Sequence, residues 1–427
     1  MNTRRGDLME QAIREVLEDG YTEPVRDVLW GHVYLSPELA ALTETRAFMR
    51  LTRIMQLGPA FFTYPGATHT RAAHSIGVYH LARRLAAALA RRGGESWMSS
   101  RGTLSYLAAA LLHDLGHFPY THSLKELPLK EHEKLSGELI LAEPLKSLIG
   151  KAGADPYLTA AIVDTSLPVG EEAEPVFYRR LLSGVLDPDK LDYLNRDARY
   201  CGVPYGAQDV DFIFRHLYPD RERGFTIDPR GIPSVESVLF AKYLMYRTVY
   251  WHRSVRSATA MVKKALLGGL ETGVIAPEEL YNLDDQGLFY FLASKNYPLG
   301  ELVSALRDGR LYTAAIELPY NEKEHHVLSD LKKRSFYEER LAREFSRISG
   351  KNITPKELII DLPEPVSFEA DLYVQGEEKI FSASSSAFKG GMVAELTKTL
   401  RIVRVFIHQR HDFTVNDSQI ISAVLNK

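Results

Sequence analysis

Cysteine is nearly absent: Cys201 is the one thiol in 427 residues. A lone thiol can build neither an internal disulfide nor a thiolate metal cluster, which points to a reducing compartment. An excess of charge is missing too, since 52 basic residues meet 55 acidic ones for a net charge of −3. Such a chain has no general attraction for nucleic acid or an anionic membrane, so a polyanionic ligand must meet a local basic site. Long apolar runs are also lacking. The stretch Met1 to Gly20 carries Arg4, Arg5, Asp7, Glu10, Arg14 and Glu15, unlike a signal peptide or a membrane span. The cytoplasm is therefore the expected location, with neither membrane nor nucleic acid as a partner. No internal repeat is visible, which excludes a solenoid.

Hydrophobic residues make up 45% of the chain, enough for one large core or two ordinary domains. Helical spacing dominates from about Arg46 to Ile348. It predicts helices over roughly Arg71 to Arg92, Leu104 to His117, Asp155 to Asp164, Pro233 to Gly269 and Glu324 to Ser349. Gly224 to Ile232 reads as a short hairpin ahead of the longest of these. After Gly350 the pattern changes. Glu357 to Asp361, Val366 to Val374, Lys379 to Ser382 and Leu400 to His408 have strand character, with helical stretches near Met392 to Thr399 and Asn416 to Leu425. The expected fold is mainly α, a helical body over residues 1–349 followed by a small α+β subdomain over 350–427.

The segment from Leu104 to His117 is almost wholly apolar until His113, Asp114 and His117 appear at its end. Polar groups placed so abruptly in a core helix need partners, either a metal ion or a helix-end hydrogen-bond network. Residues i and i+1 diverge by about 100° on a helix, so an ion shared by His113 and Asp114 needs ligands from other segments. Upstream, Arg71 and His74 share a helix face; downstream, Asp189, Tyr193 and Asp197 form an i, i+4, i+8 stripe with Lys190 beside it.

Taken in order, His74, His113-Asp114 and Asp189 resemble the H…HD…D signature of the HD-domain phosphohydrolase superfamily. Gln56-Leu57-Gly58, Tyr64-Pro65-Gly66-Ala67, the Arg71-to-Val78 stretch, the run from His113 through His117 to His122, and Asp189 to Asp197 are similar to its dNTP triphosphohydrolase branch. The similarity extends from about Gly31 to Met261, with an HD core over about 46–265. The order of elements after Gly350 also looks like the C-terminal subdomain of dGTP-activated members.

The resemblance implies that His74, His113, Asp114 and Asp189 hold one divalent metal. A two-imidazole, two-carboxylate shell suits Mn, Fe, Mg or Zn. It implies water attack at the α-phosphorus of a deoxynucleoside triphosphate, giving deoxynucleoside and tripolyphosphate. His117 would contact the α-phosphate, His132 supported by Glu133 would be the leaving-group acid, and His122 a second acid/base candidate. Arg71, Lys190 and Lys242 would surround the triphosphate, while Gln56, Leu57, Tyr193, Asp197 and Tyr250 would meet sugar and base. A homo-oligomer, dimer or tetramer, is implied as well. Two other readings remain open: an HD phosphohydrolase acting on a monophosphate, cyclic or alarmone nucleotide, and a nucleotide-sensing or single-strand-binding protein.

Three departures from the family pattern stand out. Glu44, Met49 and Thr52 occupy positions where relatives carry Asp, Gln and Arg for a guanine activator, and Met49 and Thr52 remove the amide and guanidinium that a guanine edge needs. Weak or altered effector dependence is expected. Lys125 stands where an acid usually follows His122, with Glu126 next to it. Lys242 replaces a phosphate-facing arginine, keeping the charge and losing the fork.

Overall fold

The computed structural model describes residues 11–170, 173–366, 368, 371–377, 379–384, 386, 388, 392–411 and 421. Its first regular pair is a hairpin of β1 (Glu23–Asp27) and β2 (Gly31–Leu35), which pair antiparallel with Val25 opposite Val33. Three helices then form the centre: α1 (Arg71–Ala90), α2 (Ser100–Leu112) and, later in the chain, α5 (Pro188–Cys201). Between them come α3 (His132–Ile140) and α4 (Pro156–Val163). Each of α1, α2 and α5 begins at a side chain that accepts from the first turn, namely Thr70, Ser99 and Asp187, which satisfies amides that would otherwise lack partners.

Helix α2 is buried on nearly all sides, from Gly102 to Leu112 apart from Leu104, as an all-round apolar helix at the centre of a bundle must be. Helices α1 and α5 pack on one another, and α2 packs on α1. The α1–α5 contact is very close at Gly77, where a Cβ would overlap the Asp192 carboxylate and the Arg196 guanidinium. A hairpin β3 (Leu217–Asp220) and β4 (Gly224–Ile227) leads to α6 (Ile232–Met245), a π-turn (Tyr246–Tyr250) and α7 (Arg253–Glu271). No helix among the described residues is long and apolar enough to cross a membrane.

Five expectations shift. The helix expected over Glu324 to Ser349 starts only at Leu331, behind its Asp330 cap, after a short helix over Glu322–His325 and a 3-10 turn over His326–Ser329. The helix expected over Leu104 to His117 ends at Leu112, with Ser136 Oγ donating to the His113 carbonyl at 2.7 Å in place of a further helical turn. The helix expected over Pro233 to Gly269 is two, because the backbone widens at Tyr246–Tyr250 and restarts where His252 caps Ser254. The short hairpin turns earlier than Gly224, with both strands preceding α6. Among the described residues of 366–382, Tyr373, Val374 and Ile380 form isolated bridges rather than strands.

The boundary at 349/350 also differs. The C-terminal sheet has the order β5-β7-β6, all antiparallel, with β5 (Thr313–Pro319) drawn from before residue 350 and β6 (Leu358–Asp361) and β7 (Ile402–Ile407) from after it. Helix α8 (Leu331–Ser349) buries Leu341, Ala342 and Phe345 against Ile316, Leu358, Val403 and Val405. Apolar faces on α8 and β5 can be buried only against that sheet, so the α+β unit begins near Thr313. Helix α9 (Met392–Leu400) lies where a helix was expected, and the one expected over Asn416 to Leu425 falls outside the described residues, Ile421 apart.

Candidate active site

Three α-helical segments converge on four donor atoms. From the first turn of α1, His74 places Nε2 2.9 Å from Asp189 Oδ1. At the end of α2, His113 Nε2 lies 3.2 Å from Asp114 Oδ1 and 3.7 Å from Asp189 Oδ1. Ligand atoms of His74, His113 and Asp114 all lie within 4.8 Å of one another. The second nitrogen of each imidazole is already used, His74 Nδ1 facing Asp192 Oδ2 and His113 Nδ1 facing the Ala110 carbonyl, both at 2.9 Å. His113 Nε2 is buried with no hydrogen-bond partner. An orphaned imidazole nitrogen pointing into two carboxylates fits a divalent cation, because metal-binding histidines are oriented through their other ring nitrogen.

The charges at this centre are strongly coupled. Burial pushes Asp114 up, but His117, His113 and Arg71 hold it well below the usual carboxylate range. Asp189 is likewise low, its burial outweighed by the adjoining imidazoles of His113 and His74. Burial lowers His74, yet Asp189 and Asp192 raise it to about 10.

Beside the four donors stands a cluster of three more imidazoles. His117 and His132 stack with ring centroids 3.9 Å apart, and His122 meets them edge-on at 4.7 and 5.1 Å. His117 Nε2 is 3.1 Å from Asp114 Oδ1, which joins the two groups. Burial, then Arg71 and His132 for His117 and His117 and Arg71 for His122, keep these rings well below the ordinary imidazole range. His132 is low for the same reasons, burial and the neighbouring His122, while Glu133 Oε2 sits 3.0 Å from its Nδ1. Glycine makes this contact possible, since a Cβ at Gly116 would overlap the carbonyl of His132.

Among the remaining predicted residues, Arg71 Nη1 donates to Asp114 Oδ2 at 2.8 Å. Asp197 accepts from Tyr250 Oη at 2.7 Å and lies 2.8 Å from His69 Nε2. Burial pushes the Tyr193 phenol up, and the charges of Tyr246, Asp189, Asp187 and Asp197 push it the same way. Lys190 Nζ reaches Asp187 Oδ2 at 2.9 Å. Gln56 Oε1 is buried without a partner, and Leu57 packs against the main core. Lys242 is buried with its ammonium 5.3 Å from the Phe368 ring.

Four residues at this centre had no role assigned from the sequence. Arg50 donates at 2.6 Å to the carbonyls of both Leu115 and His117 and so fixes the turn after α2. Asp192, Arg196 and Trp30 stand behind His74, with the Arg196 fork on Asp192 at 2.8 and 2.9 Å. For Arg50 the available signal was a charged side chain in the apolar run Phe48-Met49-Arg50-Leu51, whereas Arg196, flanked by Asn195 and Asp197, gave no such signal.

A family profile for the HD domain matches residues 71–154, and one for the HD associated region matches 209–404. The uncharacterized protein YwfO of Bacillus subtilis is 33% identical over 316 residues, 72% of this chain and 69% of its own length. This chain belongs to the HD-domain family. It is a metal-dependent phosphohydrolase by that membership, and the donors around His113 are those such an enzyme requires. The human deoxynucleoside triphosphate triphosphohydrolase SAMHD1 is 28% identical over 274 residues, 57% of this chain and 44% of SAMHD1. The chain thus spans less than half the length of that relative. A phosphohydrolase of Bacteroides thetaiotaomicron shares the fold at a TM-score of 0.70 with 24% identity, over 90% of this chain and 99% of its own.

Proposed function

We propose that this HD-domain protein hydrolyses deoxynucleoside triphosphates to deoxynucleoside and tripolyphosphate. One observation carries the reading: four ligand-type donors, on His74, His113, Asp114 and Asp189, meet directly beside three clustered imidazoles on His117, His122 and His132. The similarity to SAMHD1, whose name states that activity, supports the choice of substrate.

In this reading His74, His113, Asp114 and Asp189 hold the cation. Bound there, a divalent ion polarises a phosphoryl oxygen and acidifies water near neutral pH. His117, 3.1 Å from Asp114, faces the α-phosphate. Water adds to the α-phosphorus as the bond to the sugar 5′-oxygen breaks, and that oxygen needs a proton to leave. His132 supplies it, oriented by Glu133, with His122 as the neighbouring alternative. Without substrate these rings are neutral, and the incoming triphosphate, carrying about four negative charges, favours the protonated form an acid requires.

Arg71, Lys190 and Lys242 serve the phosphates, Arg71 also holding Asp114. Gln56, Leu57, Asp197 and Tyr250 serve the sugar and base, and Tyr193 crowds the 2′ position. The reading includes a cytoplasmic homo-oligomer of two or four chains and a single Mn, Fe, Mg or Zn ion per site.

The test is incubation of purified protein with Mn²⁺ and each of the four dNTPs, singly and mixed, with products resolved by ion exchange and mass detection. Tripolyphosphate with deoxynucleoside is the expected outcome. Absence of product from every mixture by a metal-loaded protein would overturn the substrate assignment and direct attention to monophosphates and cyclic nucleotides.

A further inference from the structure

Behind the metal centre lies a chain of buried polar groups that the reaction itself does not use. His74 Nδ1 faces Asp192 Oδ2 at 2.9 Å, and the Asp192 side chain has no exposed surface. Its other oxygen, Oδ1, accepts from the indole Nε1 of Trp30 at 2.6 Å, across 162 residues of sequence. The Arg196 guanidinium grips both oxygens of Asp192 and reaches on to Asp27 Oδ2 at 2.8 Å. Asp27 in turn accepts from the backbone amides of Leu29 and Trp30 at 2.8 and 2.9 Å. Asp27, Trp30 and the loop joining β1 to β2 therefore close the circuit that begins at His74.

We propose that the N-terminal hairpin is a structural part of the metal centre, with Trp30 the positioning residue that orients Asp192 and through it His74. The proposal rests on His74 being a metal ligand. Arg196 grips both oxygens of Asp192 from one side. The Trp30 indole adds a further donor on Oδ1 from a separate segment and so resists displacement of the carboxylate from His74 Nδ1, and Trp30 is itself stacked on His80 at 6.0 Å between centroids. With Asp192 fixed, the Nδ1–H of His74 has one place to go and Nε2 keeps its lone pair aimed at the site. The hairpin lies wholly upstream of the stretch matched by the HD-domain profile, residues 71–154, so a residue outside that match sets the geometry within it.

The experiment measures Mn²⁺ affinity by titration calorimetry on metal-stripped full-length protein carrying Trp30→Phe, Val33→Ala or His74→Ala. Trp30→Phe removes the indole donor and keeps an aromatic ring; about tenfold weaker binding is expected, as for loss of other groups that orient a metal-binding histidine. Val33→Ala opens a cavity in the fully buried face of β2 without touching the circuit, so it lowers the melting temperature and leaves affinity unchanged. Unchanged affinity in Trp30→Phe, with loss in His74→Ala, overturns the proposal and spares the metal assignment. Retained affinity in His74→Ala overturns that assignment instead. A second readout needs no folded variant: in ¹⁵N-indole spectra of wild-type protein titrated with Zn²⁺, the Trp30 N–H signal shifts while that of Trp97, whose Nε1 has no hydrogen-bond partner, stays in place. A stationary Trp30 signal, or equal shifts of both, overturns the proposal.

Discussion

The Arg71 guanidinium donates to Asp114 Oδ2 at 2.8 Å, leaving Oδ1 to face His113 Nε2 and His117 Nε2 at 3.2 and 3.1 Å. One carboxylate thus joins the Arg71 guanidinium, the candidate metal donors and the imidazole cluster. Asp114→Ala removes all three connections at once, so loss of bound metal and a fall in kcat/KM of at least about 10³ are expected. Elemental analysis beside steady-state kinetics checks both. Arg71→Lys keeps the charge and loses the fork, and is expected to raise KM about tenfold while metal content stays at the wild-type level.

His132→Gln is expected to lower kcat by about 10²–10⁴ with metal content unchanged, the range of a lost general acid. His122→Gln should cost less, because Glu133 orients His132 whereas the acid nearest His122 in sequence, Glu126, is turned to Lys263 and Arg334 at 2.5 Å each. Equal losses in the two variants would reassign the proton donor.

Single dNTPs are expected to turn over without a guanine nucleotide. Met49 is 45% exposed and Thr52 Oγ1 donates to the Met49 carbonyl at 2.7 Å, so neither offers a guanine edge the amide and guanidinium it needs. Initial rates with dATP alone and with added GTP check this, and an increase of more than about tenfold on adding GTP would contradict it.

Tyr193→Ala is expected to narrow the preference for deoxyribose. Its phenol is within electrostatic range of Tyr246, Asp189 and Asp197, and under the proposed function its removal opens the 2′ side, so the ratio of kcat/KM for dATP over ATP should fall about tenfold.

The pair between Arg256 and Asp361, at 2.5 and 2.9 Å, joins α7 to the C-terminal sheet and is buried on both sides. Burial pushes Asp361 up, but Arg256, Lys263 and Arg404 bring it below its ordinary value. A depressed carboxylate stabilises the fold fully above its unfolded pKa of about 3.9, and that contribution is lost as pH falls through the lower folded value. Urea unfolding should therefore show wild type losing stability below about pH 4, with a shallower fall in Asp361→Asn. Arg256→Met leaves a buried carboxylate unpaired and should cost about 3–5 kcal/mol at pH 7.

The sequence by itself determined the helical body and the order of the donors. Apolar spacing marks α1 and α2 because each buries most of its surface, the Asp189, Tyr193 and Asp197 stripe marks α5, and side chains as unlike their surroundings as His113 and Asp114 stand out from an apolar run. The tertiary structure alone decided the rest. Trp30 and Asp192 are 162 residues apart and Arg50 and His117 are 67 apart, and hydrogen bonds across such distances leave no period in either segment. The break at Tyr246–Tyr250 was equally hidden, because a π-turn keeps the composition of a helix and changes only its winding. The start of the α+β unit at Thr313 followed from pairing, since β5 becomes a strand of that sheet only when β7, which follows it by some 80 residues, lies alongside.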